Sequence, residues 1–167
     1  MKKERNPIFN VFATEWAFLR DKKKTFVLYI LLFTIAGVIS LMTPLVIGMI
    51  FNAVQNQITS QAQLYGLIKM ISLLLAITVG FWAFHGTARV LEQKTGFLVH
   101  RNYINDKIEK VLELPVKWHK DHHSGDTIDK INRGSLALAE FSRDTTFEIF
   151  YAVINIVGSI IILFFFD

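Results

Sequence analysis

Residues 26–51 read FVLYILLFTIAGVISLMTPLVIGMIF and contain no charged side chain. A helix of that length extends roughly 39 Å, which exceeds the ~30 Å hydrocarbon core of a bilayer. The stretch therefore predicts a first transmembrane helix. Pro44 lies inside it and predicts a helix kink, because proline lacks a backbone N–H and its ring clashes with the preceding turn.

Two further apolar stretches follow the first. Residues 64–88 are apolar except for Lys69 and His85 near the two ends, and residues 147–166 carry Asn155 as an interior polar group. Both are long enough to cross the hydrocarbon core. Since 52% of the residues are hydrophobic and only 19% are charged, we predict an all-α membrane protein with three transmembrane helices in a lipid bilayer.

Basic residues predict the orientation of the spans. Ten lysines and arginines lie between the second and third spans, in residues 89–146, and seven precede the first span. These seven are Lys2, Lys3, Arg5, Arg20, Lys22, Lys23 and Lys24. Because lysine and arginine favour the cytoplasmic side, residues 1–25 and 89–146 are predicted to be cytoplasmic. The uncharged connector, residues 52–63, and Asp167 are then expected outside the inner or plasma membrane.

The net charge of +4 does not indicate a nucleic-acid partner. The basic residues lie beside the spans, where membrane topology and anionic headgroups account for them. The chain also contains no cysteine, which excludes disulfides, thiolate metal sites and a cysteine nucleophile.

An amphipathic segment precedes the first span. In residues 7–19, Phe9, Phe12, Trp16 and Leu19 recur at three- and four-residue spacing, which aligns them on one helical face. Aromatic residues ahead of a basic cluster are typical of the headgroup region. We therefore predict an elbow helix that lies in the inner interface, with an ordinary helix packed on protein as the alternative.

The loop of residues 89–146 reads as two helices that extend beyond the membrane. Apolar residues recur with helical period from Arg89 to Leu114, and Pro115 is predicted to end that helix. A second helix is predicted to start at Asp126, whose carboxylate would cap free backbone donors. Residues 116–125 would then form the tip between the two helices.

The tip also carries metal-ligand residue types. His119, His122 and His123 with Asp121 and Asp126 are the types that bind zinc or nickel. On a helix, His119 and His123 would share a face but His122 would point elsewhere. We therefore assign no metal site. The other interpretation of these residues is a polar tip that docks on a partner.

Several short motifs occur in one order along the chain. They are Pro44-Leu45-Val46-Ile47-Gly48, Phe51-Asn52, Arg101, Leu112-Glu113-Leu114-Pro115, Trp118-His119, His123-Ser124-Gly125-Asp126 and Ile131-Asn132-Arg133. In this order the chain resembles the N-terminal half of the transmembrane domain of ATP-binding cassette (ABC) exporters of type 1. The resemblance implies half of a six-helix domain that dimerises to twelve spans. Two departures are Asn52, where the family often has aspartate, and the end of the sequence after the third span.

The resemblance also implies a role for the tip. In the family, a coupling helix between two overlong helices sits in a groove of the nucleotide-binding domain. By resemblance, the coupling interface comprises Trp118, His119, His122, His123, Ser124 and Gly125. We hypothesise that Trp118 is the buried anchor of this contact and that Gly125 allows a tight turn.

No catalytic or cofactor-binding residue is predicted in this segment. A phosphate loop of the form GxxxxGK[ST] does not occur in the 167 residues, so the resemblance places ATP and Mg²⁺ in a nucleotide-binding domain elsewhere. Expected partners are that domain and a second transmembrane domain, identical or different. The chain would be a fragment or a split subunit of the transporter.

A stand-alone three-span adaptor, whose cytoplasmic hairpin docks a soluble partner, is the alternative function. Three more spans and a phosphate loop beyond Asp167 would discriminate the exporter from the adaptor. An enzyme acting on lipid ranks last, because no convincing pair of nucleophile and base is present.

Overall fold

The computed structural model describes residues 7–56 and 58–166, with the backbone alone for Pro7, Ile8, Ser124, Thr145, Thr146, Phe165 and Phe166. Predictions that involve Lys2, Lys3, Arg5 and Asp167 lie outside the described residues. The described residues form seven α-helices: α1 Pro7–Phe18, α2 Lys23–Ser40, α3 Met42–Gln55, α4 Gln61–Leu112, α5 Val116–Asp121, α6 Ser124–Glu140 and α7 Thr146–Phe166. A 3₁₀ turn, Arg20–Lys22, precedes α2, and a π-helical turn, Phe141–Thr145, precedes α7.

Three helical stretches are long and apolar enough to cross a membrane. They are Arg20–Gln55, Gln61–Leu112 and Gly125–Phe164. Together with the absence of strands among the described residues, they confirm the predicted fold class of an all-α membrane protein with three spans.

The chain divides into two compact units. The loop unit comprises Met1–Leu28 and Val90–Thr146, and the span unit comprises Tyr29–Arg89 and Phe147–Asp167.

A small apolar core holds the loop unit together. Leu19, Val99 and Leu138 are buried, which brings the chain after α1 against α4 and α6. Partly buried Val11 and Tyr103 pack against this cluster. Burying a leucine or valine contributes about 1.5–3 kcal/mol, so the burial of Leu19 helps to hold the end of α1 on α4 and α6.

Aromatic rings form the centre of the span unit. Phe33 is buried and its ring centroid lies 4.5 Å from that of Phe147 and 5.5 Å from that of His85. The His85 ring stacks on Phe81, with centroids 5.0 Å apart and planes inclined by 14°. These contacts join α2, α4 and α7 through rings rather than through hydrogen bonds between side chains.

Two glycines bring α2 and α7 close together in the span unit. A Cβ on Gly37 would meet Ile154 Cγ2 at 3.0 Å. A Cβ on Gly158 would overlap the side chain of Leu41. Small residues at such crossings let membrane helices approach closely, which is the packing that stabilises helices in lipid.

The first span is not one continuous α-helix. Helix α2 ends at Ser40 and α3 begins at Met42, so the interruption lies at Leu41, three residues before Pro44. Ser40 Oγ donates a hydrogen bond of 2.7 Å to the Gly37 carbonyl. A proline ring displaces the carbonyl of the residue four positions earlier, here Ser40, and this accounts physically for the position of the break.

A capping box starts α4. The Ser60 N–H donates to Gln63 Oε1 at 3.1 Å, and the Gln63 N–H donates to Ser60 Oγ at 3.3 Å. These reciprocal bonds satisfy two free donors at the first turn. The helix therefore begins at Gln61, before the apolar stretch that starts at residue 64.

Candidate functional site

The tip of the loop unit is a short helix between two longer ones. Helix α4 ends at Leu112, and Pro115 has an extended backbone with φ −58° and ψ 148°. The Trp118 N–H then donates to the Pro115 carbonyl at 2.9 Å and closes the first turn of α5. Proline favours this geometry because it cannot continue the preceding helix.

The chain leaves α5 in an extended conformation. His122 has φ −127° and ψ 132°, and His123 has φ −68° and ψ 115°. Helix α6 begins at Ser124, with no side-chain cap. The predicted start at Asp126 is therefore wrong by two residues, because the extended backbone at His123 already ends the turn. Asp126 lies in the first turn instead and pairs with Lys130 at 2.7 Å.

Aromatic contacts organise the tip. The ring of Trp118 stacks on that of His122, with centroids 4.4 Å apart and planes inclined by 11°. It meets His119 edge-on at 5.3 Å. His122 Nδ1 lies 3.0 Å from the Trp118 carbonyl, and since a carbonyl only accepts, Nδ1 carries the proton. Three of the predicted interface residues thus form one cluster.

Trp118 and His119 also line a groove of about 250 Å³. Its other walls come from α4 and α6: Ile108, Val111, Leu112, Thr127, Ile128 and Ile131. Trp118 and His119 are half-buried there, whereas His122, His123 and Gly125 are exposed. The side chain of Ser124 lies outside the described residues.

The helical face expected to join His119 to His123 does not exist. Helix α5 ends at Asp121, so the two histidines stand on different backbone conformations. Among the described residues, no group of three or more histidine, aspartate or glutamate side chains is placed to hold a metal ion.

Apolar side chains are exposed at the tip. Leu112 is 74% exposed at the end of α4 and Val116 is 72% exposed at the start of α5. Ile128, in the second turn of α6, is also exposed. Exposed apolar residues on neighbouring elements are typical of a surface that contacts another protein.

Helix α1 does not present its aromatic face as one surface. Phe9 and Trp16 are 74% and 43% exposed, as an interfacial helix requires. Leu19, however, is buried in the loop-unit core, and the Phe12 ring packs edge-on against Phe141 with centroids 4.9 Å apart. The predicted face is therefore divided: two of its residues are exposed, and two pack on α4 and the π-helical turn. The interfacial position of α1 stays a prediction.

Sequence reasoning missed a buried carboxyl on α1. Glu15 and Ser142 are both fully buried, and Ser142 Oγ donates a hydrogen bond of 2.6 Å to Glu15 Oε1. Burial raises the pKa of the Glu15 carboxyl above its ordinary value of 4.5, and the hydrogen bond from Ser142 lowers that pKa in part. A signal was present, since Glu15 falls four residues from both Val11 and Leu19 on the apolar face.

A second missed contact joins α1 to α4. The Asn102 side-chain amide donates to the Phe18 carbonyl at 2.8 Å, and Tyr103 packs against the Phe18 ring with centroids 5.2 Å apart. Lys107 Nζ lies 5.8 Å from the Phe18 ring centroid. This hydrogen bond from the Asn102 side chain satisfies a carbonyl at the end of α1, where the last carbonyls of a helix have no partner within the helix.

The fold is that of a membrane protein with three spans and a helical loop that carries a short helix at its tip. The family model of the ABC transporter transmembrane region matches residues 26–167. The chain therefore belongs to this family and is a membrane component of a transporter.

No curated protein matches the chain, and no solved structure does.

Proposed function

We propose that the chain forms part of the translocation pathway of an ATP-driven exporter and that the tip couples it to a nucleotide-binding domain. ATP and Mg²⁺ bind in that domain, outside these 167 residues, and a second transmembrane domain completes a dimer. The N-terminal segment and the loop are cytoplasmic, and the membrane is the inner or plasma membrane.

The observation that carries this proposal is the arrangement of α5. It is a short helix between the end of α4 and the start of α6. Val116 at its start and Leu112 at the end of α4 are both exposed. An exposed helix with apolar neighbours fits a hydrophobic groove on a partner. Lys117 and Lys120 on the same helix are exposed and add positive charge to this surface.

The length of α4 supports a mechanical link. Its 52 residues extend roughly 78 Å, whereas a bilayer with its headgroups is ~40–45 Å thick. A single helix that continues beyond the membrane gives a lever for domain movement. Nucleotide-driven movement at α5 therefore reaches the spans without any chemistry in this chain.

Trp118 is the proposed anchor of the coupling. Its ring contacts His119 on α5 and His122 just after α5, and it also lines the groove with residues of α4 and α6. Force applied to α5 thus passes through this ring to both long helices. Trp118→Ala should reduce transport and uncouple it from ATPase activity in the assembled transporter.

The matched control for that experiment is Trp82→Ala, which removes an exposed tryptophan of the span unit. We expect the control to retain coupling. Equal transport and ATPase activity in wild type and Trp118→Ala would overturn the role of Trp118.

The partner can be identified by crosslinking. Because the chain has no cysteine, Lys120→Cys introduces a unique thiol on exposed α5, and Lys94→Cys places one on exposed α4 as the control. We expect only the tip thiol to crosslink a protein that carries GxxxxGK[ST]. Crosslinking to a partner without a phosphate loop would favour the membrane adaptor.

The same background tests orientation. Ala62→Cys places a thiol in the first turn of α4, and Lys120→Cys places one at the tip. A membrane-impermeant maleimide applied to intact cells should label only Ala62→Cys. Labelling of Lys120→Cys alone would reverse the proposed topology.

A further inference from the structure

A polar cleft lies where α1 meets the 3₁₀ turn. It encloses about 180 Å³ and is lined by Leu19, Arg20, Asp21, Lys22, Leu98, Arg101 and Asn102. All of these residues belong to the loop unit, and none belongs to the tip.

The cleft has an excess of positive charge. Arg20, Lys22 and Arg101 contribute three cations and Asp21 contributes one carboxylate, so its net charge is plus two. In the part of the chain that the structure describes, no ion pair joins any of these four side chains. Three cations around one cleft favour a ligand that carries concentrated negative charge.

The backbone at Arg20 is held in an unfavourable conformation. Its φ is 47°, and Arg20 is the only described residue other than glycine with a positive φ. Such a conformation costs a non-glycine residue free energy, and glycine would adopt it readily. The chain therefore has arginine at a position that glycine would occupy with less strain.

Two contacts fix the rim of the cleft. The Lys22 N–H donates to the Leu19 carbonyl at 2.9 Å, and Leu19 itself is buried. The Asn102 amide donates to the Phe18 carbonyl at 2.8 Å. The two basic residues of the turn are thus held beside Arg101 on α4.

The 3₁₀ turn, rather than Arg101, lies close to the start of a span, and this position favours a membrane source for the negative charge. Lys22 precedes the first apolar residue of the span, Phe26, by four residues, or about 6 Å of helix. A headgroup layer is roughly 5–8 Å thick on each side of the bilayer. Nearby, exposed Trp16 receives the Lys23 ammonium 5.2 Å from its ring centroid, as is typical of a residue at headgroup depth.

We propose that this cleft binds the phosphate of an anionic phospholipid headgroup through Arg20, Lys22 and Arg101. Guanidinium groups suit this role because they bind phosphate oxygens in a bidentate manner. The bound lipid would tie the 3₁₀ turn to α4 from the membrane side. This inference is independent of the partner proposed for the tip.

The test uses the complete chain in nanodiscs of phosphatidylcholine that contain a minor fraction of phosphatidylglycerol. Native mass spectrometry after release from the nanodiscs measures which lipid stays bound. We expect wild type to retain one phosphatidylglycerol in preference to phosphatidylcholine. Each basic residue near a membrane surface contributes about fivefold to the binding of an anionic lipid.

The informative variant combines Arg20→Gly with Arg101→Gln. Glycine accepts the positive φ, so the turn is retained while both guanidinium groups are lost, and helix content by circular dichroism checks the fold. We expect a roughly 25-fold loss of the preference for phosphatidylglycerol. The matched control, Lys117→Gln with Lys120→Gln, removes two charges at the tip and should leave the preference unchanged.

Three results would overturn the inference. The first is an unchanged preference in the cleft variant. The second is an equal loss in the tip control, which would reveal general charge attraction. The third is displacement of the lipid by millimolar inorganic phosphate, which would identify a site for free phosphate. Arg20→Lys, which keeps the charge, should retain most of the preference.

Discussion

The two units of this chain bury different kinds of side chain. The fully or nearly buried polar residues described by the structure all belong to the loop unit: Glu15, Glu92, Thr95, Ser135 and Ser142. The buried residues of the span unit are apolar or aromatic, with Tyr29 and Phe33 the largest. The loop unit therefore adds buried hydrogen bonds to its apolar core, whereas the span unit is held by the packing of apolar and aromatic side chains.

This difference follows from the surroundings of each unit. Lipid tails are as apolar as the side chains of the spans, so close packing rather than hydrophobic burial holds membrane helices together. In the loop unit, hydrogen bonds such as those of Ser142 with Glu15 and Ser135 with His100 select one arrangement of α1, α4 and α6. Substitutions that change shape should therefore harm the span unit most, and loss of a buried bond should harm the loop unit.

The largest effect is expected from Gly158→Leu. A side chain there would overlap Leu41, and overpacking of this kind costs about 3 kcal/mol at the upper end of its range. Thermal unfolding in detergent micelles, followed by circular dichroism, measures the loss. The control is Gly80→Leu, which has the same gain in helix propensity but meets no neighbour within 4 Å. Equal stability of the two variants would contradict close packing of α2 on α7.

Ser142→Ala should have the next largest effect. It removes the donor to Glu15 and leaves a buried carboxyl oxygen unsatisfied, which costs about 2 kcal/mol. The same unfolding measurement applies. Thr87→Ala removes an exposed hydroxyl that bonds only within its own helix, so its unfolding temperature should stay near that of wild type. A neutral Ser142→Ala would show that the buried bond does not stabilise α1.

The pH dependence of stability tests the same carboxyl. Burial raises the pKa of Glu15 above 4.5, so the folded chain holds this proton more strongly than the unfolded chain does. Its contribution to stability is therefore present below pH 4.5 and is lost as pH rises through the raised pKa. Glu15→Gln keeps an acceptor for Ser142 and removes this titration.

We expect the unfolding temperature of Glu15→Gln, relative to wild type, to rise between pH 4.5 and neutrality. A constant difference between Glu15→Gln and wild type across this range would mean that the buried carboxyl does not titrate differently in the folded chain.

The spans could be predicted from the sequence, because length and lack of charge are local properties. Residues 26–51 have no charged side chain, and no tertiary contact is needed to place them in lipid. The end of α4 before α5 could also be predicted, because Pro115 restricts the backbone of the residue directly before it. The start of α6 was not, because His123 is extended without any side-chain cap that a pattern would reveal.

Long-range contacts account for what the sequence did not reveal. Ser142 donates a hydrogen bond to Glu15, which lies 127 positions earlier in the sequence. Ser142 also lies in a π-helical turn, which no periodicity of the sequence predicts. Leu19 fits an interfacial face as well as a buried one, and only its contacts with Val99 and Leu138 decide between them. The cleft at Arg20 likewise needs Arg101, which is distant in sequence.

The smallest loss of stability is expected from Arg133→Gln, which tests an exposed polar pair against the buried ones. Arg133 pairs with Asp129 one turn earlier on α6, but both side chains are more than half exposed. Water screens such a pair and ordering its two long side chains costs entropy, so the change in unfolding free energy should stay below about 0.5 kcal/mol. A loss as large as that of Ser142→Ala would mean that the surface of α6 is covered by a partner in the folded protein. Comparing the unfolding free energies of Arg133→Gln and Ser142→Ala in the same micelles thus distinguishes an exposed ion pair that adds little stability from a buried hydrogen bond that stabilises the loop unit.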